Sequence, residues 1–187
     1  MKHPCIRQLF AYWNHLRRGR PAPERGDIEP VAIRSLLADV FILSFEPHAG
    51  HPFRVAATRV CALFGREMKG ESFLALFSAH ARSDMRNLIG VVTRESIGVV
   101  ASLCECDGAQ PPLELILLPL AYDGRTGARL LGALVPCELP HWLGRRALGA
   151  LDLYTHRYLG DALPLRLPVE APRRARHGFL VYEGGHR

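Results

Sequence analysis

The sequence predicts an α+β fold built around an antiparallel sheet. One observation is the order of its segments, in which two short strand-like stretches precede a helical region and three longer strand-like stretches follow it. A second is that strands and helices come in separate runs, which favours α+β over an alternating α/β arrangement. A third is that the longest strand-like stretches are apolar at both parities, so both faces of the sheet should be covered.

The first predicted element is an amphipathic helix with a flexible connection behind it. Apolar side chains follow the i, i+3, i+4, i+7 spacing from Ile6 onward, and Gly19 with Pro21 ends the pattern. We assign residues 1–26 to this helix and a Pro-rich linker. Its apolar face is predicted to dock on the sheet or on a second copy of the chain. That face carries Leu9, Trp13 and Leu16.

The predicted domain occupies residues 27–140. It opens with a short helix, for which Asp27 is the N-cap and which runs through Leu37. A β-branched and aromatic stretch at 39–46 and its partner at 52–57 then predict a hairpin. Short helical pieces lead into a longer helix at about 79–96.

Three further strands are predicted at 99–106, 113–122 and 129–137, which gives a five-stranded sheet with the helical band on one face. The dipeptides Asp107-Gly108 and Asp123-Gly124 are typical of the turns between such strands. Gly132 inside the last strand indicates a bulge or a close packing contact.

The C-terminal segment, residues 141–187, is predicted to contain a flanking helix and a basic tail. Leu148, Leu151 and Tyr154 have the spacing of one helix face, and the chain from Pro164 onward is Pro- and Arg-rich.

Composition narrows the class of protein. The chain has 187 residues, 48% of them hydrophobic and 22% charged, which suits one domain with appendages and excludes a disordered or collagen-like chain. No apolar run is long enough to span a membrane. The start lacks the features of a signal peptide, and the five cysteines are an odd number without framework spacing. These features predict a cytoplasmic protein with reduced thiols.

The net charge of +6 does not favour nucleic-acid binding. Only Lys2 and Lys69 are lysines, and the arginines are dispersed apart from small clusters. The clusters accompany neither a recognised nucleic-acid module nor interleaved stacking aromatics. They lie at residues 17–20, 145–146 and 173–176.

Six short segments, in order, resemble one family. They are YWNHLR at 12–17, DIEP at 27–30, ATRVCALFG at 57–65, REMKG at 66–70, LLPL at 117–120 and LGAL at 131–134. Together they resemble the PAS-like family found mainly in alphaproteobacteria and formerly described as a domain of unknown function. The chain departs from the family at Ala57, where the family tends to place a glycine before the threonine.

The resemblance implies a PAS fold and a sensory or regulatory protein that binds a small ligand, a protein signalling partner, or both. PAS relatives bind haem, flavin, small metabolites or nothing identifiable, so the cofactor stays unknown. A homodimer is expected because the sheet strands are apolar on both faces and an amphipathic N-terminal helix precedes them. The candidate pocket residues come from three predicted elements: the helix that begins near Thr58, the apolar stripe of the long helix, and the strand that contains Glu114. On that strand they occupy the face opposite Glu114. They are Thr58, Cys61, Met85, Leu88, Ile89, Val92, Leu115 and Leu117. The apolar stripe of the long helix is expected to belong to the hydrophobic core, or both to the core and to one wall of a cavity.

No catalytic or metal-binding constellation can be recognised, so the chain is not expected to be an enzyme. His48 and His51 lie in a turn without further ligands at metal-binding spacing. Cys104 and Cys106 share one side of a strand, where they are either small hydrophobes or a pair that could meet an oxidant or a soft metal. The alternatives are an enzyme with an unrecognised site and a basic nucleic-acid-associated protein.

Overall fold

Six strands form a single antiparallel sheet in the computed structural model, which describes residues 1–106, 112–138 and 143–159. The strands are β1 (Val40–Ser44), β2 (Phe53–Ala56), β3 (Gly98–Glu105), β4 (Leu113–Tyr122), β5 (Arg125–Pro136) and β6 (Leu151–Leu159). Their order across the sheet is β2-β1-β5-β4-β3-β6. The α-helices are α1 (Pro4–Arg17), α2 (Thr58–Phe64) and α3 (Ala79–Glu95). The predicted α+β class is confirmed, and the sheet has six strands instead of five.

The sixth strand corrects the predicted C-terminal helix. Residues 151–159 pair with β3 along its whole length, from Gly98 opposite Leu159 to Glu105 opposite Leu151. The helical spacing of Leu148, Leu151 and Tyr154 was misleading, because Tyr154 is 71% exposed. Apolar and polar residues also alternate along this segment, and its β-branched Thr155 and aromatic Tyr158 favour a strand. The free edge of β3 favours a strand over a helix for this segment, because pairing satisfies the backbone N–H and C=O groups along that edge.

The predicted short helix at 27–37 is also corrected. The structure has three single 3₁₀ turns there instead, at Arg25–Asp27, Pro30–Ile33 and Leu37–Asp39. The segment follows the sheet instead, so that Ile33 and Leu36 are buried.

The helical band covers one face of the sheet, called the inner face here. Side chains of α2, α3 and the 3₁₀ turn Phe73–Leu76 pack there against β1, β3, β4 and β5. Four phenylalanines at 41, 53, 73 and 77 contact one another in this core, with ring centroids 5.3–5.7 Å apart. Phe41 also explains Gly132 opposite it, because a Cβ at Gly132 would lie 2.2 Å from its ring. The predicted close contact is therefore present.

Helix α1 covers the opposite, outer face. Ile6, Leu9 and Trp13 are buried against outer-face residues of β1, β4 and β5. The indole Nε1 of Trp13 donates a 2.8 Å hydrogen bond to the carbonyl of Pro119. Buried Glu114 holds the start of the chain, since its carboxylate accepts the backbone N–H groups of residues 2 and 3 at 2.8 and 2.7 Å. These bonds hold the pKa of Glu114 below its usual value, although burial alone would raise it.

Some predictions lie outside the described residues. They are the turn at Asp107-Gly108, the domain boundary at residue 140, and the basic tail from Pro164 with its arginines at 173, 174 and 176. Among the residues that the structure describes, no helix is long and apolar enough to cross a membrane.

Candidate ligand-binding site

The predicted pocket residues of α3 and β4 are brought together in the inner core. Each of them is buried, and all six belong to one continuous cluster of packed apolar side chains. They are Met85, Leu88, Ile89, Val92, Leu115 and Leu117. The 3.6-residue period of α3 and the two-residue period of β4 point these two sets at each other. Their role as a ligand pocket stays a prediction.

The two predicted pocket residues of α2 are placed differently. Cys61 is half-buried at the rim of the inner core, with its Sγ 3.9 Å from the carbonyl of Ala56 and 3.7 Å from Glu67 Oε1. Thr58 is the first residue of α2 and is exposed, so it lies apart from the buried set.

The predicted docking face of α1 is occupied by the sheet of the same chain. Leu9 and Trp13 are fully buried in the outer core, and Leu16 is half-buried against it. Of the two predicted partners of this face, the sheet and a second copy of the chain, the structure has the sheet. The homodimer prediction therefore loses its apolar-face argument and is carried forward only as part of the proposed function.

An open groove of about 570 Å³ lies where the end of α3 meets the β4–β5 hairpin. The groove is called the arginine groove below. The side chains that define it are Phe45, Thr93, Arg94, Tyr122, Arg125 and Arg129.

The hairpin turn places the groove's side chains. Asp123 and Gly124 form a two-residue turn in which both have positive φ, at 53° and 71°, as the tight turn of a twisted hairpin requires. The turn sets Tyr122 and Arg125 opposite each other. Gly127, at φ 76°, lets the end of α3 approach, since a Cβ there would lie 2.8 Å from the carbonyl oxygen of Thr93.

Three arginines contribute atoms to the lining of the groove. Arg94, Arg125 and Arg129 line it together with a single acid, Asp123. Among the described residues none of the three guanidinium groups forms an ion pair. Arg129 is held in place, because its guanidinium carbon lies 4.5 Å from the ring centroid of Tyr122 and its Nη1 donates to the carbonyl of Ala128. The three guanidinium groups do not converge in the groove, because Arg129 lies on the outer face of the sheet and the Arg94 side chain lies over Gly90.

His51 lies buried beside the groove, stacked on Phe45 with ring centroids 5.2 Å apart. Its Nδ1 is the one buried side-chain polar atom without a hydrogen-bond partner in the described part of the chain. Burial lowers the pKa of His51 below its ordinary 6.5, and the charge of Arg86 acts in the same direction. A hydrogen bond with the backbone of Ser44 and the charge of Glu46 oppose that decrease. The imidazole is therefore kept neutral near pH 7.

We expect the neutral His51 to make the fold acid-sensitive. Because its folded pKa is lowered, its contribution to stability is complete above about pH 6.5 and is lost as the pH falls below that value, with a slope of at most about 1.4 kcal/mol per pH unit. His51→Phe keeps the ring stack and should flatten the dependence in denaturant unfolding between about pH 7.5 and pH 5. His80→Gln is the control, since it removes an exposed imidazole from the surface of α3 and should leave the pH dependence as in the wild type. Equal slopes for wild type and His51→Phe would contradict this role.

The cysteine pair is arranged around Asp152. Cys104 is half-buried with its Sγ 3.9 Å from the carbonyl of Asp152, and Cys106 is exposed. Ser78 donates a hydrogen bond to the Asp152 carboxylate and caps α3. Burial, followed by the charge or hydrogen bonding of Asp152, raises the pKa of both thiols. A raised pKa disfavours the thiolate that oxidants and metals need.

In the described chain, no group of three or more His, Cys, Asp or Glu residues is arranged to hold a metal.

Sequence reasoning missed the arginine groove. Arg125 and Arg129 follow a recognised turn signal, and Arg94 lies in the last turn of a recognised helix, so each element was predicted. Their shared groove was not predicted, because it depends on which end of α3 lies over which hairpin. The one local signal of a close approach there is Gly127 itself, because a glycine inside a strand often marks a bulge or a close backbone contact.

Comparison with known proteins identifies the family. A family model described as the PAS domain matches residues 1–135, which is well over half of the chain. The matched range includes α1 and the linker, while β6 lies beyond it. Neither the curated proteins nor the solved structures contain a match. Given this match and a sheet with helices packed on its inner face, the chain belongs to the PAS-domain family.

Proposed function

We propose that this chain is a cytoplasmic sensory or regulatory protein that binds a small ligand, a protein signalling partner, or both, and that it acts without catalysing a reaction. PAS domains generally have sensory or regulatory roles, and the family match supports that general role for this chain. The ligand, the partner and the location are parts of the proposal.

The proposal rests on one observation, which is that side chains of β4 belong to both the inner and the outer hydrophobic core. Leu115 and Leu117 belong to the inner core, while Ile116 and Leu118 between them belong to the outer core that α1 covers. Because packed interiors respond to changes of even one methylene, a change among the inner side chains shifts the backbone on which α1 rests. The sheet is therefore a short physical connection between a ligand on one face and a helix on the other.

The output is proposed to be a change in binding to another protein, with a second copy of the chain as the simplest candidate. A ligand can shift such an equilibrium only by binding two states with different affinities. The elements we propose to differ between states are α1 and β6, since α1 is added to one face of the sheet and β6 to one edge.

Native mass spectrometry of the purified full chain tests the proposal. We expect a species heavier than the 20.8 kDa chain by the mass of a small molecule, a species of twice that mass, or both. Visible absorbance of the same sample would distinguish haem or flavin from a colourless metabolite. Turnover of a small substrate, abolished by one polar substitution at the site, would instead establish the enzyme alternative.

A further inference from the structure

We propose that Asp39 couples helix α2, on the inner face of the sheet, to helix α1, on the outer face. The coupling runs around the start of β1 and is separate from the connection through β4. This inference rests on the proposed function, because it names the side chains through which a movement of α2 on ligand binding reaches α1.

Asp39 is a buried carboxylate that has one partner on each helix. It ends the 3₁₀ turn Leu37–Asp39, directly before β1, and is 4% exposed. Arg59, the second residue of α2, places its Nε 3.3 Å from Asp39 Oδ1. The thiol of Cys5, the second residue of α1, donates a hydrogen bond to the Asp39 carboxylate. Such partners offset the cost of burying a charge.

The two partners belong to different layers of the fold. Arg59 directly precedes Val60, which is buried in the inner core with the rest of the apolar side of α2. Cys5 is 6% exposed and belongs to the outer core together with Ile6. Asp39 therefore joins both layers at the point where the chain enters the sheet.

The charges of this cluster act on one another. Burial raises the pKa of Asp39, while the charges of Arg59 and His3 and the hydrogen bond from Cys5 oppose that increase. Burial, and then the charge of Asp39, raises the pKa of the Cys5 thiol to about 12, and the charge of Arg59 opposes this increase. The thiol therefore stays protonated and remains a donor. A group on α1 thus responds to the charge of a group on α2.

The start of α2 is tied to the start of β1 at two points. One is the Arg59–Asp39 ion pair, and the other is the backbone N–H of Ala57, which donates to the carbonyl of Val40 at 3.1 Å. A movement of α2 away from β1 lengthens the ion pair, and a buried charge that loses one partner depends more on those that remain. The hydrogen bond from Cys5 then changes, and with it the hold of the sheet on the start of α1.

Hydrogen-exchange mass spectrometry of the full chain and its variants tests the inference. Arg59→Gln removes the ion pair and should raise exchange rates in the first half of α1 about threefold to tenfold, although Arg59 belongs to α2. In an Asp39→Asn background the same substitution should leave α1 unchanged, because the charge that couples the helices is absent. Since coupling is reciprocal, Cys5→Ala should raise exchange rates at the start of α2.

Arg66→Gln is the matched control. Arg66 follows α2, and its Nη1 lies 3.4 Å from Glu71 Oε2 in an exposed ion pair, so the substitution removes the same charge from another contact. Exchange in α1 should stay as in the wild type. Exchange in β4 is the internal reference, because a general loss of stability accelerates β4 and α1 alike. Arg59→Gln and Cys5→Ala decide the inference on their own if Asp39→Asn does not fold.

Three results would overturn the inference. One is that α1 exchanges no faster in Arg59→Gln, relative to β4, than in the wild type. Another is that the acceleration persists in the Asp39→Asn background, and the third is that Arg66→Gln produces it equally. The proposed function fails separately: if native mass spectrometry finds no bound molecule while Arg59→Gln still accelerates α1, the ligand is wrong and the coupling stands.

Discussion

Replacing Trp13 by alanine should lower the free energy of unfolding by about 3–5 kcal/mol. The indole is fully buried between α1 and the outer face, it stacks on Phe10 at 6.1 Å, and its Nε1 bonds to the carbonyl of Pro119. The truncated side chain would leave both a cavity and an unpaired carbonyl. Denaturant unfolding of the full chain measures the change, and solubility should fall as the apolar outer face becomes exposed.

Trp13→Phe separates the two contributions. It keeps most of the buried ring and removes the hydrogen bond, so a smaller loss of about 1–3 kcal/mol is expected. If Trp13→Ala left the unfolding midpoint unchanged, α1 would not be the cover of the outer face.

Leu88→Ala should cost about 2–5 kcal/mol, because Leu88 is buried in the middle of the contact between α3 and the sheet. The same variant distinguishes a packed core from a ligand pocket. If the site is only core, native mass spectrometry should show the same ligand occupancy as in the wild type once both proteins are folded.

If Leu88 lines a pocket, the bound molecule should be lost out of proportion to the decrease in stability. Ile33→Val is the control, since Ile33 is buried in the outer core and its truncation cannot reach the inner face directly. Equal ligand retention in Leu88→Ala and Ile33→Val would contradict a pocket at Leu88.

Elements with a long, unambiguous period could be predicted from the sequence. Helix α3 runs from Ala79 to Glu95, one residue short of the predicted end, because its apolar stripe from Ala81 to Val92 repeats over about three turns. Strand β4 has the predicted bounds, since the Asp123-Gly124 turn fixes its end. Its apolar residues at both parities correctly indicated two covered faces.

Segments whose local pattern permits two structures could not be predicted this way. The apolar positions at 148, 151 and 154 fit both a helix and a strand, and the free edge of β3 selects the strand. Thr58 illustrates the same limit for a site residue, because its exposure depends on how α2 rests on the sheet. The arginine groove required the full topology, as its residues come from three separate elements.

We propose that a ligand bound at the inner face affects α1 and β6 through the sheet. Hydrogen-exchange mass spectrometry tests it most directly, on the chain with its copurified molecule and after removal of that molecule by unfolding and refolding. We expect faster exchange in α1 and β6 after removal, with a smaller change in the buried strand β4. A chain that carries no molecule, or a change confined to α3 while α1 and β6 exchange as before, would contradict the claim.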